Sequence, residues 1–212
     1  MTATLYDYWR SSAAYRLRIT LNHLDIPYDQ VPVDLVAGAH LLAENMARNP
    51  QGLVPTLDLD GLVLTQSLAI IEYLDETRNA GLLPKDPPGR ARVRTISYAI
   101  AMEIHPVCNL SVARFATENS GDNMSMADWM LQFIPKGLAA VERMLKADAT
   151  GRYCHGDVLT MADICLMPQI YNADRWSVDM TNFPAINRIA AQLQQLPAVQ
   201  NAHPDQNRVT AN

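Results

Sequence analysis

The chain has 212 residues, enough for one large or two small domains and for a sizeable core. Apolar residues at 49% and charged residues at 18% describe an ordinary soluble globule. A net charge of −5 without a basic stripe argues against a nucleic-acid surface, and no run approaches the roughly 18 uninterrupted apolar residues of a membrane span. The N-terminus lacks the basic-then-apolar pattern of a signal peptide. Cys108, Cys154 and Cys165 are an odd, widely spaced set with no Cys-x-x-Cys. That predicts a reducing compartment, the cytoplasm, with no disulfide framework and no thioredoxin-type redox work. His23, His40, His105, His155 and His203 are scattered without ligand spacing, so no metal is expected.

In chain order, the pattern predicts a strand over 4–8 and a helix over 12–23, where Ala14, Leu17, Leu21 and Leu24 fall at helical spacing. Arg10, Ser11 and Ser12 sit at that strand-to-helix junction. Unpaired N–H groups and the helix dipole favour negative charge there, so two hydroxyls beside an arginine suit an anion or a thiolate. The plain alternative is an N-cap. A strand over 28–33 and a helix over about 39–48 follow, then Leu53-Val54-Pro55-Thr56. A hairpin is expected over 57–59 and 62–64 around Asp60-Gly61, the dipeptide a primed two-residue turn prefers. Thr65-Gln66-Ser67 opens the next helix, over 68–74. This order, βαβ then ββα, is the thioredoxin-like layout, in which the position of Pro55 is a cis-proline loop.

Three prolines and two glycines over 79–89 predict a stiff boundary that no helix continues through. Beyond it the period is helical: Val93, Ile96, Ile100 and Ile104 line one face of a helix that meets Pro106. Met126, Trp129, Met130, Phe133, Leu138, Val141 and Leu145 line another, interrupted by Pro135. Thr160-Met161-Ala162-Asp163 reads as a capping box. Pro184 starts a last main helix through Leu193, and the polar tail from His203 is expected to fray.

Taken together, Arg10-Ser11-Ser12, Asn49-Pro50, Val54-Pro55-Thr56-Leu57, the run from Gln66 to Leu74, and Thr160-x-x-Asp163 resemble a zeta-class glutathione transferase, in its maleylacetoacetate isomerase branch. The resemblance spans nearly the whole chain. Arg16-x-Arg18-Ile19 after the serines and Asn109-Leu110-Ser111-Val112 are its narrower marks. It departs from the family at Ala13, where a cysteine is usual, so the thiol must come from glutathione. The implied fold is α/β plus all-α: a thioredoxin-like domain over 1–81, a linker over 82–89 and a helical bundle over 90–212. A homodimer is implied as well.

A free thiol has a pKa near 8.5, so about 3% is thiolate at pH 7. Lowering that pKa by about two units needs roughly 2.7 kcal/mol of differential stabilisation. A hydroxyl donor and a helix N-terminus can supply it. Ser11 is the first candidate donor and Ser12 the second; Ser12 could equally be the N-cap. Val54 can offer its N–H and C=O to the cysteinyl unit as an added strand would. Gln66 and Ser67, at a helix start, suit the γ-glutamyl carboxylate, with plain capping as the alternative. His40 falls near the position where the family holds the glycyl end, although by itself it reads as an exposed helix residue. For the second ligand, Arg10 and Arg175 suit the carboxylates of a diketo acid, against ordinary salt bridging. His105, Asn109 and Ser111 fall where the family borders the cleft; His105 could also be a satisfied core histidine. The implied reaction is reversible addition of glutathione to a cis double bond, turning maleylacetoacetate into fumarylacetoacetate in tyrosine and phenylalanine breakdown. Maleylpyruvate is the nearest other substrate, and a conjugating transferase or α-haloacid dehalogenase would use the same thiolate.

Overall fold

The computed structural model describes residues 2–121, 123–147 and 149–208. It contains two compact units, one of residues up to Leu82 together with those from Gln194 onward, the other Leu83–Leu193.

The first unit holds β1 (Ala3–Asp7), α1 (Ser12–His23), β2 (Tyr28–Pro32), a 3-10 turn (Ala39–Leu41), α2 (Ala43–Arg48), β3 (Thr56–Leu59), β4 (Leu62–Thr65) and α3 (Ser67–Arg78). The sheet order is β2-β1-β3-β4, with β1 parallel to β2 and β3 antiparallel to both β1 and β4. A parallel pair needs a crossover, and α1 supplies it. Asp60 and Gly61 turn the hairpin with φ of 57° and 78°, the left-handed pair a primed turn requires. The Val54–Pro55 bond is cis.

The helix expected over 39–48 is broken. Leu42 is extended (φ −68°, ψ 150°), and Asn45 Nδ2 donates to the His40 carbonyl (2.9 Å), satisfying an acceptor that the break leaves open.

Helix α1 buries every residue from Ala14 to Leu21, two arginines included. Arg18 and Asp7 form a fully buried pair, N–O 2.5 Å, both side chains at 0% exposure. The other nitrogens of Arg18 donate to the carbonyls of Ala202 (3.0 Å) and Trp9 (2.8 Å), and Gln30 Nε2 donates to Asp7 (2.6 Å). One side chain thus joins the end of β1, the turn into α1 and the C-terminal segment. Burial pushes the Asp7 carboxyl above the usual carboxylate range, with Arg18 opposing it.

The second unit holds α4 (Pro87–Tyr98), a π-helical segment (Ala99–Ile104), one turn of helix α5 (His105–Val107), α6 (Leu110–Glu118), α7 (Met126–Met144), α8 (Met161–Arg175) and α9 (Pro184–Leu193). The linker expected to run to Gly89 gives way to helix at Pro87. Asp86 caps α4 by accepting from Gly89 N–H (2.7 Å), and proline fits a first helical turn because its missing N–H is needless there. Any side chain at position 89 would put Cβ 2.7 Å from the capping carboxylate. Pro135 does not interrupt α7, whose Met130, Ile134, Leu138 and Val141 are buried across it.

The Thr160–Asp163 capping box forms. The Asp163 carboxylate accepts from Thr160 N–H (2.9 Å), the Thr160 hydroxyl (2.7 Å) and Cys154 N–H (2.8 Å), so it also pins the preceding loop.

After α9 the chain returns to the first unit as α10 (Pro197–Asn201) and a 3-10 turn (Pro204–Gln206). The helical domain expected over 90–212 therefore ends sooner, because α10 packs on α1. The tail expected to fray is ordered at least through Gln206, with Ala202 and Pro204 buried; residues 209–212 lie outside the described residues.

Among the described residues no helix is long and apolar enough to cross a membrane. Cys108, Cys154 and Cys165 are buried thiols that form no disulfide. Burial pushes the Cys108 thiol up to about 11 and that of Cys154 well above its ordinary value. At pH 8 the native protein should therefore react with a thiol reagent far more slowly than the unfolded chain, which should release three equivalents promptly. Rapid labelling of any cysteine in the native protein would contradict this burial.

Candidate active site

The first unit concentrates its polar groups at the start of α1. Ser11 is the N-cap (φ −66°, ψ 120°): its Oγ accepts from Ala14 N–H (3.2 Å) and its own N–H donates to the Tyr8 carbonyl (2.8 Å). The cap role falls on Ser11, and Ser12 is the first helical residue. Accepting one bond leaves the Ser11 hydroxyl proton free to donate elsewhere. Both serines are half-buried, and the first turn carries no acidic residue, so the dipole there is not cancelled. Arg10 precedes them. Its guanidinium donates to the Tyr8 hydroxyl (3.1 Å) and lies 4.8 Å from the Trp9 ring centroid.

Two neighbouring segments join this turn. Tyr8, Val33 and Val54 form one apolar cluster against which Trp9 and Ala39 pack, drawing the cis-proline loop and the residue before His40 towards the serine turn. Val54 lies just ahead of β3, so its N–H and C=O stay outside the ladder. His40 is half-buried rather than exposed, and its Nδ1 is buried without a hydrogen-bond partner. At the start of α3, Ser67 is buried and its Oγ accepts from Arg16 (3.0 Å), tying α1 to α3. Gln66 caps α3 through its backbone alone, at φ 67°, ψ 104°, and its amide donates to Gln51 (2.6 Å). A non-glycine residue there is strained by about 1–3 kcal/mol, which surrounding structure must sustain.

Arg16, Gln51 and the Trp9 ring are site neighbours that the sequence pattern did not single out as functional. The signal for Arg16 was present: an arginine on the buried stripe of α1 demands a polar partner.

In the second unit, His105 opens α5 directly after the π-helical segment and is half-buried, not a core residue. Asn109 is the N-cap of α6, its Oδ1 accepting from Ser111 N–H and hydroxyl (3.1 Å each), so these two residues engage each other. Arg175 ends α8 with its guanidinium carbon 5.8 Å from the Trp176 ring centroid. Among the described residues no cluster of three His, Cys, Asp or Glu side chains could hold a metal.

Residues 1–76 match the glutathione S-transferase N-terminal domain family and residues 107–201 the C-terminal domain family. A maleylacetoacetate isomerase of Rhizobium meliloti (strain 1021) is 58% identical, over 95% of each chain. The chain belongs to the zeta-class glutathione transferases. The Mus musculus maleylacetoacetate isomerase is 42% identical to this zeta-class chain, over 94% of the chain and 91% of the mouse protein. Among solved structures, a bacterial zeta-class maleylpyruvate isomerase superposes with a TM-score of 0.93 at 39% identity, covering 98% of this chain and all of the other. The Methylobacterium extorquens AM1 maleylacetoacetate isomerase, solved with malonate and glutathione bound, gives 0.90 at 39% identity, covering 96% and 97%.

Proposed function

We propose that this zeta-class chain is a glutathione-dependent cis–trans isomerase that converts maleylacetoacetate to fumarylacetoacetate, working as a cytoplasmic homodimer in tyrosine and phenylalanine breakdown. The observation that carries the reading is the start of α1: a half-buried serine cap with a spare proton, an uncancelled helix dipole and an adjacent arginine. The relatives' names support the reaction class.

The residues present fit glutathione. The buried, unpartnered Nδ1 of His40 calls for a polar partner, which the glycyl end would give. Val54 can pair with the cysteinyl backbone, and the N-terminal turn of α3 at Gln66 and Ser67 can take the γ-glutamyl carboxylate, helped by the Arg16 charge beneath Ser67. When bound, glutathione supplies a thiolate whose reversible addition makes the cis double bond single long enough to rotate.

Ser11 would donate a hydrogen bond from its hydroxyl to the glutathione sulfur while its oxygen holds the cap, so one hydroxyl would both orient the helix and lower the thiol pKa. Ser12 is the second donor on this reading. Arg10 stands where negative charge develops on the diketo acid and stabilises it there. Arg175 takes the distal carboxylate through its planar fork, and His105, Asn109 and Ser111 serve ligand binding from the helical unit.

The decisive experiment follows maleylacetone and maleylpyruvate with and without glutathione. Isomerisation should occur only with glutathione, whose total amount stays constant. Full activity after glutathione is removed by gel filtration would overturn the proposal. Maleylpyruvate is the second reading, favoured by the 0.93 superposition on a maleylpyruvate isomerase, and the ratio of the two kcat/KM values decides between them.

A further inference from the structure

A cavity of about 300 Å³ opens on the first unit where β1 and β2 end, lined by Trp9, Arg10, Gln30, Asp34 and Arg208 among others. Its two arginines come from opposite ends of the chain, one from the turn before Ser11 and the other from the C-terminal segment. Their guanidinium carbons lie 4.8 Å and 5.1 Å from the centroid of the same Trp9 ring. Among the described residues neither has a carboxylate partner. The acids that line the cavity are engaged elsewhere. Asp7 holds Arg18 and Gln30, and Asp34 Oδ1 accepts from the N–H groups of Val36 (2.8 Å) and Ala37 (3.2 Å). With Arg18 balancing Asp7, the wall keeps two positive charges against the one negative charge of Asp34. The indole can attract each cation but cannot neutralise either. A carboxylate can, and the guanidinium fork matches its plane.

We propose that Arg208 is a substrate-binding residue that shares with Arg10 the recognition of the carboxylate conjugated to the reacting double bond. This rests on the isomerase reading. That carboxylate is attached directly to the carbon–carbon double bond at which the sulfur arrives, and Arg10, one residue before Ser11, is the cation on that side. Arg208 borders the same cavity and adds the second charge, which makes the C-terminal segment part of the specificity of the enzyme.

The test compares Arg208→Gln and Arg208→Lys with wild type on maleylacetone, whose single carboxylate is the conjugated one, and on its methyl ester. Arg208→Gln should raise KM for the acid by about 10- to 100-fold, the range of one charge-assisted bond, and leave kcat and the ester KM within about twofold. Arg208→Lys should recover part of the loss, and the difference should shrink at high salt because Arg208 is exposed. Calorimetric titration of maleate into glutathione-free protein should show a matching loss of affinity in Arg208→Gln. An equal KM change for acid and ester, or no change in maleate affinity, overturns the proposal. If wild type with glutathione leaves maleylacetone unchanged, the isomerase reading is the one that fails, and the maleate titration still decides whether Arg208 binds a carboxylate.

Discussion

Arg18→Met should lower the unfolding free energy by about 3–5 kcal/mol, the cost of leaving a buried charge without its partner. The substitution keeps most of the side-chain volume, so the loss is electrostatic rather than a cavity. Asp7, at 0% side-chain exposure, would keep the Gln30 donor but lose its counter-charge, and the carbonyls of Trp9 and Ala202 would lose their donors. The double variant Arg18→Met/Asp7→Leu should recover much of the loss, since a buried pair replaced by apolar residues is often neutral. Urea titration monitored by circular dichroism checks both. A single variant within about 1 kcal/mol of wild type would mean that water reaches Asp7. Activity should fall with Arg18 as well, because the Trp9 carbonyl it holds belongs to the turn that presents Arg10 and Ser11.

Ser11→Ala should cost about 10- to 1000-fold in activity, and more than Ser12→Ala. The cap adds a complication with a clean solution. Because Ser11 Oγ accepts from Ala14 N–H, alanine also removes an N-cap, at about 1 kcal/mol of stability. Ser11→Asp keeps an N-cap acceptor and favours the dipole, yet puts an anion where the sulfur must sit. It should be as stable as wild type and nearly inactive. Melting curves beside glutathione-dependent isomerisation separate the two roles. Small, equal effects of Ser11→Ala and Ser12→Ala would assign the thiol pKa to the helix N-terminus alone.

The elements that sequence reading located well are those governed by local rules. Ala14, Leu17 and Leu21 set the period of α1, Asp60-Gly61 fixed the hairpin, and Thr160 with Asp163 announced α8. Prolines misled where they sat inside otherwise helical stretches. Pro87 and Pro88 mark a helix start because Asp86 caps them, and α7 crosses Pro135 because its apolar face is buried on both sides. The π-helical turns before His105 have no signature in the hydrophobic period, since widening a turn changes hydrogen bonding more than composition. The positions of Arg10, Ser11 and Ser12 at the start of α1, and of Gln66 and Ser67 at the start of α3, were legible because strand ends and helix starts are visible in sequence. Arg16 on Ser67, the Arg18–Asp7 pair and Arg208 beside Trp9 join segments far apart in the chain, and no local pattern carries such pairings.

The bond from Arg18 to Ala202 joins residues 184 positions apart, and that from Asn22 to Ala198 joins residues 176 apart. At ribosomal rates of about 5–20 residues per second, the partners of these bonds are synthesised roughly 10–40 seconds apart. The helical unit, contiguous from Leu83 to Leu193, leaves the ribosome whole while the sheet that began the chain still lacks α10. A nascent chain stalled before Gln194 would thus present the N-terminal strands with an incomplete core, the form that chaperones and proteases meet first.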